Sequence, residues 1–144
     1  MISLKQVKKP DQKILSDVNR LIPQLSSTAK SLSKRQFREM TKGQNTFFIG
    51  VWDKGSLVGM GFTVFILTPI GLRARLEDMV IDEKYRGRGI GSILTRRLIS
   101  EAKKRKARWI EFTSRKDRVA TNNFYKKFGF KPRDTNVYRL SLYK

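Results

Sequence analysis

The sequence predicts an α/β protein in which one mixed sheet carries helices on both faces. Short runs in which apolar and polar residues alternate indicate strands, and stretches with apolar residues three or four positions apart indicate helices. These runs follow one another in the order β α α β β β α β α β. A chain of 144 residues suits one hydrophobic core, so we expect a single domain over residues 1–144.

The amino-terminal part of the chain predicts one strand and two helices. Residues 2–7 alternate and suit a short strand. Asp11 is placed to cap a first helix, and Ser33 followed by Gln36 is a capping-box pattern for a second helix that stops at Gly43. The apolar face of the first helix consists of Ile14, Leu15, Val18, Leu21 and Ile22.

The remainder of the chain predicts five strands and two helices. The strands are residues 46–52 and 57–67, which a hairpin connects, followed by residues 73–81, 109–113 and 137–143. Helical spacing after Gly91 predicts one helix, and residues 118–128 predict another that Gly129 closes.

The chain contains no cysteine and no histidine. This composition excludes disulfides, thiol nucleophiles, Ser-His and Cys-His dyads and nearly every structural zinc arrangement. The acidic residues are not clustered as a carboxylate-only magnesium site requires, so we expect no metal. Any proton transfer must fall to a carboxylate, a tyrosine, a lysine or water.

The net charge is +20, from 32 Lys and Arg against 12 Asp and Glu. Such a charge attracts anions, which include nucleic acids, acidic proteins and polyphosphate cofactors. A basic but merely solvated surface is an equally good reading, because the charges are spread along the chain.

Nothing in the sequence indicates a membrane protein. The longest apolar run, residues 57–70, is interrupted by glycines, threonines and a proline and is shorter than the roughly 20 residues that span a bilayer. The lysines near the amino terminus are not followed by the apolar core of a signal peptide. We therefore expect a cytoplasmic protein.

A glycine-rich segment, residues 86–91 with the sequence RGRGIG, lies between a predicted strand and a predicted helix. Glycines there allow a close backbone approach, and the first amides of the helix point out of its positive end, so this turn suits an anion. The spacing fits neither a Walker loop nor the dinucleotide fingerprint. A turn that only reverses the chain is the plainer alternative.

Two motifs resemble the GNAT superfamily of N-acetyltransferases. Arg86, Gly89 and Gly91 fill its pyrophosphate signature, and residues 122–130, NNFYKKFGF, are similar to its tyrosine helix with a Gly-Phe turn. The resemblance implies a single-domain, mostly antiparallel mixed sheet flanked by helices, with a splayed central strand pair. It also implies acetyl-CoA as co-substrate.

The resemblance assigns cofactor contacts to the strand before the loop, the loop itself and the tyrosine helix. Backbone groups of the strand would pair with the pantetheine arm, and the Met79 amide would face the thioester oxygen. As side chains, Met79, Val80 and Ile81 are expected in the core. The implied cofactor-binding residues are Met79, Val80, Ile81, Arg86, Gly87, Arg88, Gly89, Ile90, Gly91, Ser92, Asn122 and Tyr125. Asn123 is the alternative to Asn122.

Two residues are candidates for catalysis. The resemblance implies that the Tyr125 hydroxyl protonates the leaving thiolate. A packing role on the buried face of its helix is the alternative. Glu77 is the first candidate for the base, because an amine must lose a proton before it attacks and no histidine is available. Strand alternation puts Glu77 and Asp78 on opposite faces. A surface carboxylate, with water as the base, is the alternative.

The function that follows is direct acetyl transfer, in a ternary complex, to a primary amine of a small molecule or peptide. The positive charge favours an acceptor that carries a carboxylate or phosphate, or a peptide presented by an acidic partner. Residues 21–45 are expected to read the acceptor, and the protein is expected to be a monomer or homodimer. The alternative is a basic nucleic-acid- or ribosome-associated module with an inherited acyltransferase fold.

Overall fold

The computed structural model describes residues 1–9 and 11–143. The chain forms two compact units, Met1–Phe112 and Thr113–Lys144. In the first unit the elements are β1 Ser3–Gln6, α1 Gln12–Leu25, α2 Lys34–Lys42, β2 Thr46–Asp53, β3 Ser56–Thr68, β4 Gly71–Ile81, a 3-10 turn Glu83–Tyr85, α3 Ile90–Lys104 and β5 Ile110–Glu111. The second unit contains α4, Val119–Lys126.

The five strands form one sheet in the order β1-β2-β3-β4-β5. Neighbouring strands are antiparallel except β4 and β5, which run parallel. The parallel ladder pairs Ala74 with Ile110 and Arg75 with Glu111, whereas β4 continues to Ile81. The prediction of an α/β fold with a mixed, mostly antiparallel sheet is therefore confirmed.

Helices α1 and α2 begin where the sequence predicts. The Asp11 carboxylate accepts hydrogen bonds from the amides of Lys13 at 2.7 Å and Ile14 at 3.2 Å. The capping box is complete, because the Ser33 hydroxyl accepts from the Gln36 amide at 3.1 Å and the Gln36 side chain accepts from the Ser33 amide at 2.9 Å. These bonds satisfy amides that the first helical turn would otherwise leave open.

One face of the sheet packs against α1 and α2. The stacked rings of Phe48 and Phe62, with centroids 4.3 Å apart, lie at the centre of this core, and Phe37 of α2 meets Phe48 edge-on. Burial of these rings removes a large apolar area from water and supplies most of the local driving force. The buried members of the cluster are Val7, Leu15, Val18, Leu21, Phe37, Phe48, Leu57, Met60, Phe62 and Val80.

The other face packs against α3. Leu94 and Leu98 lie above Gly61 of β3, where a Cβ atom would come within 3.0 Å of Leu98 Cδ1. Gly61 therefore allows α3 to approach the sheet closely. Both helix side chains are fully buried.

A charged cluster lies at the carboxyl-terminal half of α3, on the same face of the sheet. Glu101 of α3 is only 6% exposed and receives hydrogen bonds from Arg97 at 3.3 Å and Arg105 at 3.1 Å. The two guanidinium groups also lie over aromatic rings, Arg97 over Phe47 at 4.9 Å and Arg105 over Phe65 at 4.3 Å. Burial raises the pKa of Glu101, but the bonds from Arg105 and Arg97 outweigh burial and lower it overall.

The last predicted strand is wrong. Residues 137–143 form no strand in the described part of the chain, and after α4 the described residues of the second unit form no further helix or strand. Val137 and Tyr143 are 72% and 92% exposed. Alternation shows that a segment is compatible with a pleated surface, but a strand also requires a partner that supplies the ladder bonds. Among the described residues, no helix is long and apolar enough to cross a membrane.

Glu101 links the stability of the α3 face to pH. Its pKa is lowered on folding, so its contribution is complete above the usual glutamate pKa and is lost as the pH falls through the folded pKa. Replacing Glu101 by Gln should therefore lower the free energy of unfolding at pH 7 by about 1–3 kcal/mol. The difference from wild type should shrink in acid. Urea unfolding at several pH values measures it, with exposed Glu39→Gln as the control; a difference that is independent of pH would contradict this account.

Candidate active site

The turn from β4 to α3 leaves the first amides of α3 without a side-chain cap. Gly89 is the N-cap of α3, with φ of 76°, and it makes no side-chain cap bond. By contrast, Asp11 and Ser33 cap α1 and α2. The amides of the first turn therefore keep their hydrogen-bonding capacity for an external anion, and the dipole of a 15-residue helix adds positive potential.

Gly87 and Gly89 both have left-handed backbone, with φ of 77° and 76°. A Cβ atom at either position would meet nothing within 4 Å, so backbone conformation and not crowding explains the glycines. The same observation shows that the turn opens to solvent within the first unit. Next to it, Ile90 is 3% exposed and anchors the start of α3 in the core, while Gly91 and Ser92 are partly exposed. The turn thus has the backbone, the space and the charge that a pyrophosphate requires.

The two arginines of the turn contact the protein backbone. Arg86 Nε donates to the Ile81 carbonyl at 2.9 Å. Arg88 Nη2 donates to the Lys84 carbonyl at 3.0 Å, and its guanidinium lies 4.9 Å from the centre of the Tyr85 ring. Both side chains therefore help to fix the shape of the turn, in addition to the positive charge that they bring to it.

Helix α1 ties down the same turn through residues that sequence reasoning missed. The carboxylate of Asp82, which is 5% exposed, accepts a hydrogen bond from Arg20 Nη1 at 2.5 Å. Arg20 Nη2 donates to the Leu57 carbonyl at 2.7 Å. Burial raises the pKa of Asp82, but the hydrogen bond from Arg20 and the Lys84 amide more than compensate and lower it. The Gln24 side chain accepts from the Glu83 amide at 3.0 Å. An aspartate directly after a strand is a turn signal that could have identified Asp82.

The carboxylate pair, Glu77 and Asp78, lies on β4 before the turn. Glu77 Oε1 receives Arg75 Nε at 3.1 Å, and the Glu77 side chain is 42% exposed. Asp78 has left-handed backbone with φ of 47°, at a register shift between β3 and β4. The simple alternation that predicts opposite faces for Glu77 and Asp78 is thus interrupted at this point. Partial burial of the carboxyl group raises the pKa of Asp78, and the Glu77 charge adds to the effect.

The three residues at the end of β4 have their side chains in the interior, as predicted. Val80 is 6% exposed and belongs to the core under α1 and α2. Met79 lies on the α3 side, where the Thr95 hydroxyl donates to its sulfur at 3.7 Å. Ile81 is partly buried and approaches Gly59 of β3. The predicted pairing of their backbone groups with a pantetheine arm stays a prediction.

The second unit holds Asn122 and Tyr125 on α4. Tyr125 is 9% exposed, and its ring meets Phe124 at 5.0 Å and Phe130 at 5.8 Å. Burial raises its pKa to about 12, while Arg118 acts in the opposite direction. Asn122 Nδ2 donates to the Arg115 carbonyl at 3.1 Å. Tyr125 is therefore both a packed residue and a protonated hydroxyl at neutral pH.

The structure thus groups the predicted residues in two sets. Glu77, the end of β4 and the glycine turn lie along one continuous stretch of the first unit, whereas Asn122 and Tyr125 share one helix of the second. Among the described residues, no group of three or more acidic side chains is arranged to hold a metal ion.

Comparison with known proteins identifies the fold. The sequence profile described as the Acetyltransferase (GNAT) family matches residues 16–130, which include the carboxylate pair, the glycine turn and Tyr125. The chain belongs to the GNAT acetyltransferase family. The resemblance on which the sequence analysis rests is therefore confirmed.

Two curated GNAT relatives are named as uncharacterized N-acetyltransferases. YobR of Bacillus subtilis is 32% identical over 93 residues, which are 65% of this chain and 36% of YobR. MJ1207 of Methanocaldococcus jannaschii is 34% identical over 61 residues, which are 42% of this chain and 27% of MJ1207. The chain thus matches about a third of the length of these relatives.

Solved structures agree with the GNAT fold. A transcriptional regulator from Bacillus halodurans superposes with a TM-score of 0.84 at 25% identity, over 98% of this chain and all of the other. An acetyltransferase from Trypanosoma brucei gives 0.81 at 22% identity, over 99% of this chain and 100% of the other. The aminoglycoside N-acetyltransferase AAC(6')-Iy, in complex with a CoA-containing bisubstrate analogue, gives 0.82 at 12% identity and 98% coverage of both chains.

Proposed function

We propose that this protein transfers the acetyl group of acetyl-CoA to a primary amine. The observation that carries the proposal is the uncapped, glycine-rich start of α3, which a short 3-10 turn connects to β4. A turn of this kind suits a pyrophosphate, and the family match makes the pyrophosphate of CoA the best candidate. The proposal includes residues 1–144 as one domain, a cytoplasmic location and a monomeric or homodimeric state.

The residues of the first unit fit the cofactor. Amides from Arg88 to Ser92 would bind the pyrophosphate, with Arg86 and Gly87 shaping the turn. Met79, Val80 and Ile81 would offer backbone groups to the pantetheine arm, and Asn122 would add a side-chain amide. Acetyl-CoA supplies an activated acetyl thioester when bound. Without cysteine, the chain cannot form a cysteine acyl-enzyme, so transfer occurs directly in a ternary complex.

Tyr125 is the proposed acid. Because burial raises its pKa to about 12, its hydroxyl carries a proton throughout the neutral range. Such a hydroxyl can give its proton to the sulfur atom that leaves and recover one from solvent. A carboxylate of the pair on β4 would accept the proton of the acceptor amine, and the sequence makes Glu77 the candidate for this base.

The acceptor is proposed to be an amine that also carries an acidic group, or a peptide. Its recognition would involve residues 21–45, whose α1 end contacts the turn through Gln24. The repulsion between a +20 protein and polyamines supports this choice. Amine acceptors as a class are supported by the neighbour AAC(6')-Iy, which is bound to an acetylneamine analogue.

An acceptor screen tests the proposed function. The purified chain is incubated with acetyl-CoA and single amines, and release of free thiol is followed, with longer acyl-CoAs in parallel. Saturable thiol release with at least one amine is the expected result. Saturable acetylation of spermidine in preference to acidic amines would contradict the proposed acceptor class, and CoA binding without any transfer would contradict the enzyme.

Gly89→Ala should weaken CoA binding more than it weakens folding. Alanine in left-handed conformation costs about 1–2 kcal/mol, so the turn relaxes and its amides lose their alignment. Gly55→Ala is a matched control, because Gly55 has φ of 79° and equally open surroundings in the β2–β3 hairpin. Isothermal titration with CoA should show about a tenfold loss for Gly89→Ala at a similar unfolding temperature in both variants. Equal CoA affinity in the two would contradict the assignment of the turn.

Tyr125→Phe should lower turnover by about 100-fold or more, because it removes the proposed proton donor. The affinity for CoA should change by less than about threefold, since the ring still packs against Phe124 and Phe130. Tyr138→Phe, at an 87% exposed tyrosine of the same unit, is the control. An equal loss of turnover and affinity would assign Tyr125 a structural role.

The positive charge favours nucleic-acid binding as a second candidate function. Exposed cations accumulate at the end of α3, where Arg108 lies 5.5 Å from the ring of Trp109. If this surface binds RNA, affinity for a labelled single strand should fall by at least about tenfold between 50 and 200 mM salt. Fluorescence anisotropy measures this. The absence of RNA binding at low salt would contradict nucleic-acid binding as a function.

A further inference from the structure

Strand β4 contains a β-bulge in the middle of the proposed site. Phe62 of β3 pairs with Glu77, and Met60 pairs with Val80, so Asp78 and Met79 together lie opposite Gly61. The extra residue is accommodated by the left-handed backbone of Asp78, with φ of 47°. Bulges re-aim side chains and are common beside active sites. A non-glycine residue in this conformation costs free energy, and aspartate is one of the few that tolerate it.

The two neighbouring carboxylates have different partners. Glu77 is held by Arg75 at 3.1 Å. Within the described residues, the Asp78 carboxylate has neither a hydrogen bond nor an ion pair. The residue is accessible to solvent, although neighbouring atoms partly desolvate its carboxyl group. One oxygen of Glu77 is thus already bound by a guanidinium, whereas both oxygens of the bulged residue are open to an external donor.

We propose that the carboxylate of Asp78, and not that of Glu77, accepts the proton of the acceptor ammonium in this chain. The inference rests on the proposed acetyl transfer and names a further residue for it. Glu77 and Arg75 then act as a positioning pair, which keeps a negative charge next to Asp78 without competing for the proton.

The charges around Asp78 support this role. Partial burial raises the pKa of Asp78, and the charge of Glu77, on its own strand, adds to the effect. The opposite strand contributes Gly61 and Phe62, which are uncharged. From the helices that pack on β4, Arg20 of α1 is bound to Asp82 and Thr95 of α3 to Met79. A carboxylate with a raised pKa is a stronger base.

The proton balance of the transfer is complete with these groups. The acceptor nitrogen loses one proton to Asp78, which passes it to solvent, and the freed lone pair forms the C–N bond. As the C–S bond breaks, its electron pair stays on sulfur, which takes a proton from Tyr125. The nitrogen gives up its second proton to solvent, and Tyr125 recovers one proton from solvent. One proton in total is released to solvent.

The test uses Asp78→Asn, because asparagine tolerates left-handed backbone and keeps the bulge. For the wild-type protein, kcat/KM should be nearly constant at pH values between the pKa of Asp78 and the pKa of the acceptor amine. In the variant, which must capture free amine, kcat/KM should be lower by about 100-fold at pH 7 and should rise tenfold per pH unit toward the amine pKa. CoA affinity should be unchanged, which shows an intact fold. Asp134→Asn, at an exposed aspartate of the second unit, is the control.

Glu77→Gln distinguishes the two carboxylates. It should lower activity less and keep the wild-type shape of the pH profile. The proposal is overturned if Asp78→Asn keeps that shape while Glu77→Gln acquires the rising one, or if both variants keep it. Wild-type chain that binds CoA but acetylates no amine would overturn the proposed function itself, and an active wild type with an unaffected Asp78→Asn would overturn only the role of Asp78.

Discussion

The first turn of α3 lacks a side-chain cap, and much of the surrounding structure holds that turn in position. Its N-cap is Gly89, whose left-handed backbone favours glycine. Glycine has no side chain that could accept hydrogen bonds from these amides. An exposed helix start is easily deformed, so its orientation must come from neighbours. Arg86 fixes the turn to the end of β4, and the Arg20–Asp82 pair fixes it to α1. An anion would therefore meet amides that are already aligned, which reduces the ordering that binding requires.

The acidic residues of this basic protein are concentrated in structural roles. Asp11 caps a helix, Asp82 binds Arg20, and Glu101 binds two arginines above the sheet. Asp53 receives the amino terminus and the Tyr85 hydroxyl. The Asp78 carboxylate has no such partner among the described residues, and it precedes the glycine turn, residues 86–91, in the chain.

The sequence predicts well what depends on local chemistry. Asp11 and Ser33 start their helices because their side chains reach amides two or three residues away, and the RGRGIG segment forms its turn because glycines occupy the left-handed positions. Residues 137–143 show the opposite case. Their alternation was correct as a pattern, but strand formation depends on a distant partner that no local rule specifies.

Long-range contacts and strand register are the features that the sequence does not predict. Arg20 and Asp82 are 62 positions apart, and only the docking of α1 brings them together. The bulge is subtler, since alternation through Glu77 and Asp78 gives no sign of an extra residue, and the shift in register depends on Gly61 across the ladder. Two adjacent carboxylates on an ideal strand would point to opposite faces of the sheet. The bulge changes this, because it leaves Glu77 with Arg75 and turns Asp78 to a different environment, so that one sequence pair can supply both a fixed charge and a base.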